Sequence, residues 1–104
     1  MKGLIRKTPR LLRLLTGGFA SGMALFPFIL VKNEDCAANH VLIHHERIHL
    51  RQQLEMGVVL FYLWYGIEYV VRRFQYKTHY WAYKNISFER EAFKHQKDKN
   101  YLSN

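Results

Sequence analysis

The most continuous apolar stretch in the chain is Val58-Val59-Leu60-Phe61-Tyr62-Leu63-Trp64-Tyr65-Gly66-Ile67-Glu68-Tyr69-Val70-Val71. It is apolar on nearly every side, which predicts a helix buried in a core or pressed against lipid. The helix is expected to run from Val58 to about Gln75, ending in basic Arg72 and Arg73. Its apolar run is too short for the roughly 20 residues that a transmembrane helix needs, and Glu68 interrupts it. Upstream, Val41-Leu42-Ile43, Ile48 and Leu50 alternate with polar residues in a partly buried helix expected over about Cys36–Met56. Asn33 and Asp35 offer N-cap side chains, and Glu34 and Asp35 suit the positive end of the helix dipole. Gly57 stands where a helix commonly ends. Downstream, Tyr76 to Lys84 reads as an aromatic, polar connection. Ser87 is then expected to cap a third helix from Phe88 to about Asp98.

Residues 14–31, LLTGGFASGMALFPFILV, carry no charge. They reach the lower limit for a membrane span, but glycines and Pro27 punctuate them. Gly17-Gly18 and Ala20-Ser21-Gly22 look like turn material, and Phe26 to Val31 is β-prone. A short hairpin ending in a strand suits this punctuation best. A membrane anchor and a cleaved signal are the other readings, although no clear A-x-A-like cleavage site is present. The expected fold class is therefore mainly α with a short β segment (α+β). An N-terminal hairpin or strand leads to a motif helix, an apolar second helix and a third helix.

Composition and charge refine this. The chain has 104 residues, 49% of them hydrophobic, and carries a net charge of +8. That composition excludes disorder and suits a single core. Residues 1–32 hold Lys2, Arg6, Lys7, Arg10, Arg13 and Lys32 without one acid, while residues 33–104 are nearly balanced. The expected organisation is a basic amphipathic arm over 1–16 and one small domain over 17–104. A basic arm interleaved with leucines fits an anionic membrane surface. Nucleic acid is a third option for the arm but is not expected as a partner, because the arm has no interleaved aromatics and no known binding motif. The single cysteine, Cys36, forms no intrachain disulfide and points to a reducing compartment. The expected location is cytoplasmic and peripheral on the membrane, or membrane-anchored if residues 14–31 are a span.

The strongest chemical signal lies in the motif helix. His45-Glu46-Arg47-Ile48-His49 is an H-E-x-x-H sequence. On a helix, residues i and i+4 share one face, so both imidazoles can hold one Zn²⁺ from the same side. Glu46 follows the first histidine and can take a proton from water at that metal. The apolar neighbours Val41, Leu42, Ile43, Ile48 and Leu50 place this polar turn in a buried setting, where polar side chains need partners. His44 points about 100° away from His45 and is expected to face solvent or to support the site from outside.

Two histidines do not complete a zinc site. Glu68, His79, Glu89, Glu91 and His95 are the downstream candidates. The second helix returns over about 27 Å at 1.5 Å per residue, which brings the third helix back toward the histidines. Glu89, at the start of that helix, can then be aimed inward. Glu68 is mid-helix and equally suited to pairing with an arginine. His79 or His95 would instead make a three-histidine site.

His45-Glu46-Arg47-Ile48-His49, followed by Phe88-Glu89-Arg90-Glu91-Ala92-Phe93, resembles the gluzincin metallopeptidases. Their pattern is H-E-x-x-H with a glutamate ligand on a later helix, which in several branches reads E-x-x-A-D. Glu89 falls on the ligand position and Ala92 on the small residue, while Phe93 replaces the aspartate. The layout also resembles small bacterial proteins with a minimal gluzincin core, over about residues 26–98. The resemblance implies His45, His49 and Glu89 as zinc ligands, Glu46 as general base and a peptide or protein as substrate. The strand at Phe28–Val31 is expected to pair with extended peptide by edge addition. His79, Tyr80 and Tyr83 are candidates to stabilise the oxyanion. The competing reading is a membrane-associated helical binding or structural protein with a structural or vestigial metal. Its aromatic load suits core packing and an interfacial belt equally well.

Overall fold

The computed structural model describes residues 3–98 and 100–102. Phe28-Ile29-Leu30-Val31 is a short run without polar residues. It becomes the middle strand of a three-stranded sheet, with Ile29, Leu30 and Val31 all buried. The strands are β1 (Leu4–Lys7), β2 (Gly22–Leu25) and β3 (Phe28–Val31), in the order β1-β3-β2. β2 and β3 form the expected hairpin, antiparallel with Ala24 opposite Ile29 and joined through a cis Phe26–Pro27 bond. Residues 14–31 are thus the end of a helix, a turn and this hairpin rather than one apolar helix.

The basic N-terminal stretch does not lie apart as an arm. β1 pairs in parallel with β3, Ile5 opposite Ile29, and the Leu4 and Thr8 amides donate to Pro27 and Val31 carbonyls at 2.9 and 3.0 Å. Helix α1 (Pro9–Thr16) follows, with Pro9 in its first turn and Leu12 buried. Paired backbone amides and one buried leucine hold this segment despite its charge.

Strand periodicity divides the core. Ile29 and Val31 join Ala24, Ile43 and Leu50 in one buried cluster, so that face of the sheet rests on the motif helix. Leu30 points to the opposite face, where α1 packs on β3. The expected first helix is two. α2 (Glu34–Ala38) is capped by Asn33, whose side chain accepts from the Cys36 amide. α3 (His40–Met56) starts afresh at Asn39, whose side chain accepts from both the Val41 and Leu42 amides. An asparagine that captures two amides competes with helix continuation and wins here.

Gly57, at φ 85°, then turns the chain in a conformation that side chains rarely adopt. α4 (Val58–Gln75) leaves α3 at a bend of 112°. The expected connection after it contains a short helix, α5 (His79–Lys84), capped by the Thr78 side chain. α6 (Ser87–His95) closes the fold by packing on α3 and α5. The result is mainly α with a small sheet, as the pattern predicts.

Candidate metal centre

α3 turns an unusual set of residues inward. His45, Glu46, His49, Gln52 and Gln53 are all buried. His45 and His49, one turn apart, send their Nε2 atoms to the same carboxylate oxygen. Each Nε2 lies 2.9 Å from Glu89 Oε1. The ligand atoms of His45, His49 and Glu89 lie within 4.8 Å of one another, a buried group that could hold a metal ion.

The outer ring nitrogens decide the chemistry. His49 Nδ1 donates to Gln52 Oε1 at 2.7 Å, and His45 Nδ1 donates to Gln96 Oε1 at 2.9 Å. The orientation of Gln52 is determined, because its Nε2 donates to Glu91 Oε1 and to the Phe88 carbonyl. With Nδ1 carrying the proton in a neutral ring, each Nε2 turns a lone pair toward the Glu89 carboxylate. Lone pairs facing a carboxylate need positive charge between them, as protons or as a metal cation. The donor set therefore fits a divalent ion.

The electrostatics agree. Burial disfavours the charged form of His49, but the Glu89 carboxylate and its hydrogen bond, with Glu46 and Gln52, outweigh burial and push the ring up to about 9. Burial alone would raise Glu89, yet the two histidines hold it well below the usual carboxylate range. Glu46 goes the other way. Burial raises it, helped by repulsion from Glu89 and partly offset by the histidines and a hydrogen bond to the Ala24 backbone.

Glu89 is fixed from outside α3. Tyr65 of α4 donates to its Oε2 at 2.6 Å. α6 has Ile86 at its N-cap and no side-chain cap of its own. Glu68 supplies one from α4, accepting from the Ser87 amide at 2.9 Å and from the Ser87 hydroxyl. Ser87 is thus the first residue of the helix rather than its cap, and Glu68 is a clamp on α6 rather than a ligand. Glu91, His95 and His79 stand outside the group as well. Glu91 accepts from Gln52 and from Tyr101. His95 stacks on Tyr101, and His79 is hydrogen-bonded to Tyr69. His44 belongs to neither the cluster nor its supports. Phe93, in place of the aspartate of the resemblance, packs edge-on against the His45 ring, and Gln96 Oε1 accepts the hydrogen bond from the ring N–H instead.

A cleft of about 400 Å³ opens beside the cluster, lined by Glu46, His49 and Glu89. Phe19, Tyr62, Tyr65, Tyr69, His79 and Tyr83 line it as well. His79 and Tyr83 therefore reach the cleft, whereas Tyr80 is exposed and does not line it. The expectation for Phe28–Val31 needs correction. β3 lies between β1 and β2, so both its edges are paired. The open edge beside the site is that of β2. There the Ala24 carbonyl already accepts from Gln53 and Tyr62, and the Phe26 amide donates to Gln53.

Gln52, Gln53, Gln96 and Tyr65 do not stand out in the sequence. Gln52 carried a signal, since it lies three residues after His49 on the same helical face. Comparison with known proteins adds no relative, for no family model, no curated protein and no solved structure matches the chain.

Proposed function

We propose that the chain is a zinc-dependent metallohydrolase of gluzincin type, most simply a peptidase. The observation that carries this is the convergence of both histidine Nε2 atoms on Glu89 at the wall of a cleft that also holds buried Glu46. Two nitrogens and one carboxylate oxygen are the ligand set of a catalytic zinc, which keeps a further position open. The ion, when bound, supplies Lewis acidity and lowers the pKa of water toward about 7.

The chain's own residues do the rest. Gln52 and Gln96 hold the ring protons on Nδ1, and Tyr65 holds Glu89 in place. Glu46, raised by burial, is matched to taking a proton from the attacking water and passing it to the leaving amine. His79 and Tyr83, which line the cleft, are the candidates to donate to a developing oxyanion.

The test is metal content in protein purified without added metal, measured beside a His45→Ala, His49→Ala double variant. About one zinc per chain in the wild type and none in the variant is expected, together with hydrolysis of a mixed peptide library by wild type alone. Equal metal in both proteins would overturn the site. Retained zinc with no hydrolysis would make the metal structural.

A further inference from the structure

α4 contradicts the ordinary rule for an apolar helix in a small domain. Of its large apolar side chains only Phe61 is buried. Val59, Leu63, Ile67, Val70 and Phe74 recur at helical spacing along one exposed stripe, with Val59 80% and Phe74 90% accessible. The stripe runs for most of a helix about 27 Å long. Folded monomers seldom leave so large an apolar surface open unless something docks there.

Charge identifies the occupant. The single acid of α4, Glu68, is turned away to clamp Ser87. The stripe ends in exposed Arg73, with exposed Lys77 just beyond, while Arg72 pairs with Glu68 at 3.8 Å. α1 adds a second exposed apolar patch at Leu14 and Leu15, beside Arg10 and Arg13 and with no acid. Trp64 and Trp81 are both exposed, and Trp64 satisfies its ring N–H on Glu68, leaving the ring free for a headgroup layer. An apolar face bordered by cations complements anionic lipid. Two copies of a +8 chain would repel instead.

No single helix among the described residues is long and apolar enough to cross a membrane. α3 and α4 pass that test only as a pair bent by 112°. The inward face of α3 is committed to the polar cluster.

We infer that α4 lies flat in the surface of an anionic bilayer, its exposed stripe immersed and the exposed cations Arg73, Lys77, Arg10 and Arg13 on lipid phosphates. Membrane contact then comes from α4 and from Leu14 and Leu15 on the outer face of α1, without residues 14–31 forming a span. Gly66 lines the cleft and lies one turn from Leu63 and Val70, so the rim of the cleft borders the bilayer. That proximity selects peptide segments held at a membrane surface as substrate. This last consequence rests on the hydrolase reading, whereas docking does not.

Flotation of the full chain with phosphatidylcholine vesicles, with and without phosphatidylglycerol, tests the inference. Wild type should float with anionic vesicles. A Leu63→Gln, Ile67→Gln, Phe74→Gln variant, altered only at exposed positions, should lose at least tenfold in binding with unchanged circular dichroism and metal content. Arg10→Gln and Arg13→Gln should each lose about fivefold, near the 1 kcal/mol per surface cation expected. In a Trp81→Phe background, brominated lipid should quench Trp64. The His45→Ala, His49→Ala variant should float like wild type, so failure of the hydrolase reading leaves this test intact. Three results would overturn the inference. One is wild type that floats with neither vesicle. Another is a lipid-free dimer that the triple glutamine variant makes monomeric, which would assign the stripe to a second copy. The third is attachment that resists alkali and yields only to detergent, which would mean a span.

Discussion

α3 and α4 are consecutive helices of 17 and 18 residues, separated by one glycine, and they invert each other. α3 buries two histidines, a glutamate and two glutamines. α4 leaves valine, leucine, isoleucine and phenylalanine in the open. In an ordinary domain the apolar helix would occupy the core and the polar one the surface. A buried polar group is tolerated where it has partners, and each inward side chain of α3 has them: Gln96, Gln52, Glu89 and the β2 backbone. An exposed apolar face is tolerated where a partner lies outside the chain. In the readings proposed above, the inward face of α3 serves chemistry and the outward stripe of α4 serves docking, so each face should be breakable without the other.

The largest expected effect is at Glu46. Glu46→Gln keeps the shape of the side chain and leaves His45, His49 and Glu89 in place, but cannot accept a proton. Hydrolysis should fall by about 10²–10⁴-fold, the range for loss of a general base. Metal content and vesicle flotation should not change. A variant that cleaves at the wild-type rate would remove Glu46 from the mechanism.

Glu89→Gln comes next. It removes the charge on which both histidines converge, and metal retention should weaken by at least the roughly 10–100-fold seen when a metal site's supporting partners are lost. Among the described residues Glu91 is hydrogen-bonded to Gln52 and Tyr101, outside the cluster, so Glu91→Gln should have a smaller effect. Competition with a chelator of known affinity would measure both, and equal losses would dissolve the distinction between the two glutamates.

Gln53 sharpens the structural side of α3. Its amide joins the helix to the hairpin by donating to the Ala24 carbonyl and accepting from the Phe26 amide. Gln53→Leu leaves the Phe26 amide without this acceptor, while Ala24 keeps Tyr62. An unpaired, partly buried donor costs about 1–3 kcal/mol, so urea unfolding should show a loss of about 2 kcal/mol. A neutral outcome would mean that water replaces the glutamine.

The two helices also differ in how far the sequence reveals them. The bounds of α4 follow from Gly57 at one end and Arg72-Arg73 at the other, because an apolar run between such residues has little freedom. The histidine pair and Glu89 could be read because helical spacing and a returning helix bring them together. The direction of the α4 face could not be read, since an all-round apolar helix looks alike whether it meets core or lipid. Local asparagine capping hid the break at Asn39. The place of β1 was hidden for another reason. Leu4–Lys7 is a short strand with two cations, and its pairing with Phe28–Val31 is a long-range choice that no local pattern encodes. Ser87 looked like a cap because serine commonly is one, and only the fold places Glu68 over it.

The smallest expected effect separates the two roles proposed for α4. Gly66 sits inside the helix, where glycine is less stable than alanine by roughly 0.5–1 kcal/mol. A Cβ added there meets no atom within 4 Å, so packing does not require the glycine. Gly66→Ala should therefore raise stability by about 1 kcal/mol, a shift of about 5 °C in a chain of this size. The same methyl group would stand at the cleft rim, so KM for peptide should rise while kcat holds, and flotation should stay at the wild-type level. A drop in melting temperature would show that the helix needs the glycine. Unchanged KM with raised stability would show that substrate does not pass this rim, and the border between cleft and bilayer would have to be drawn elsewhere.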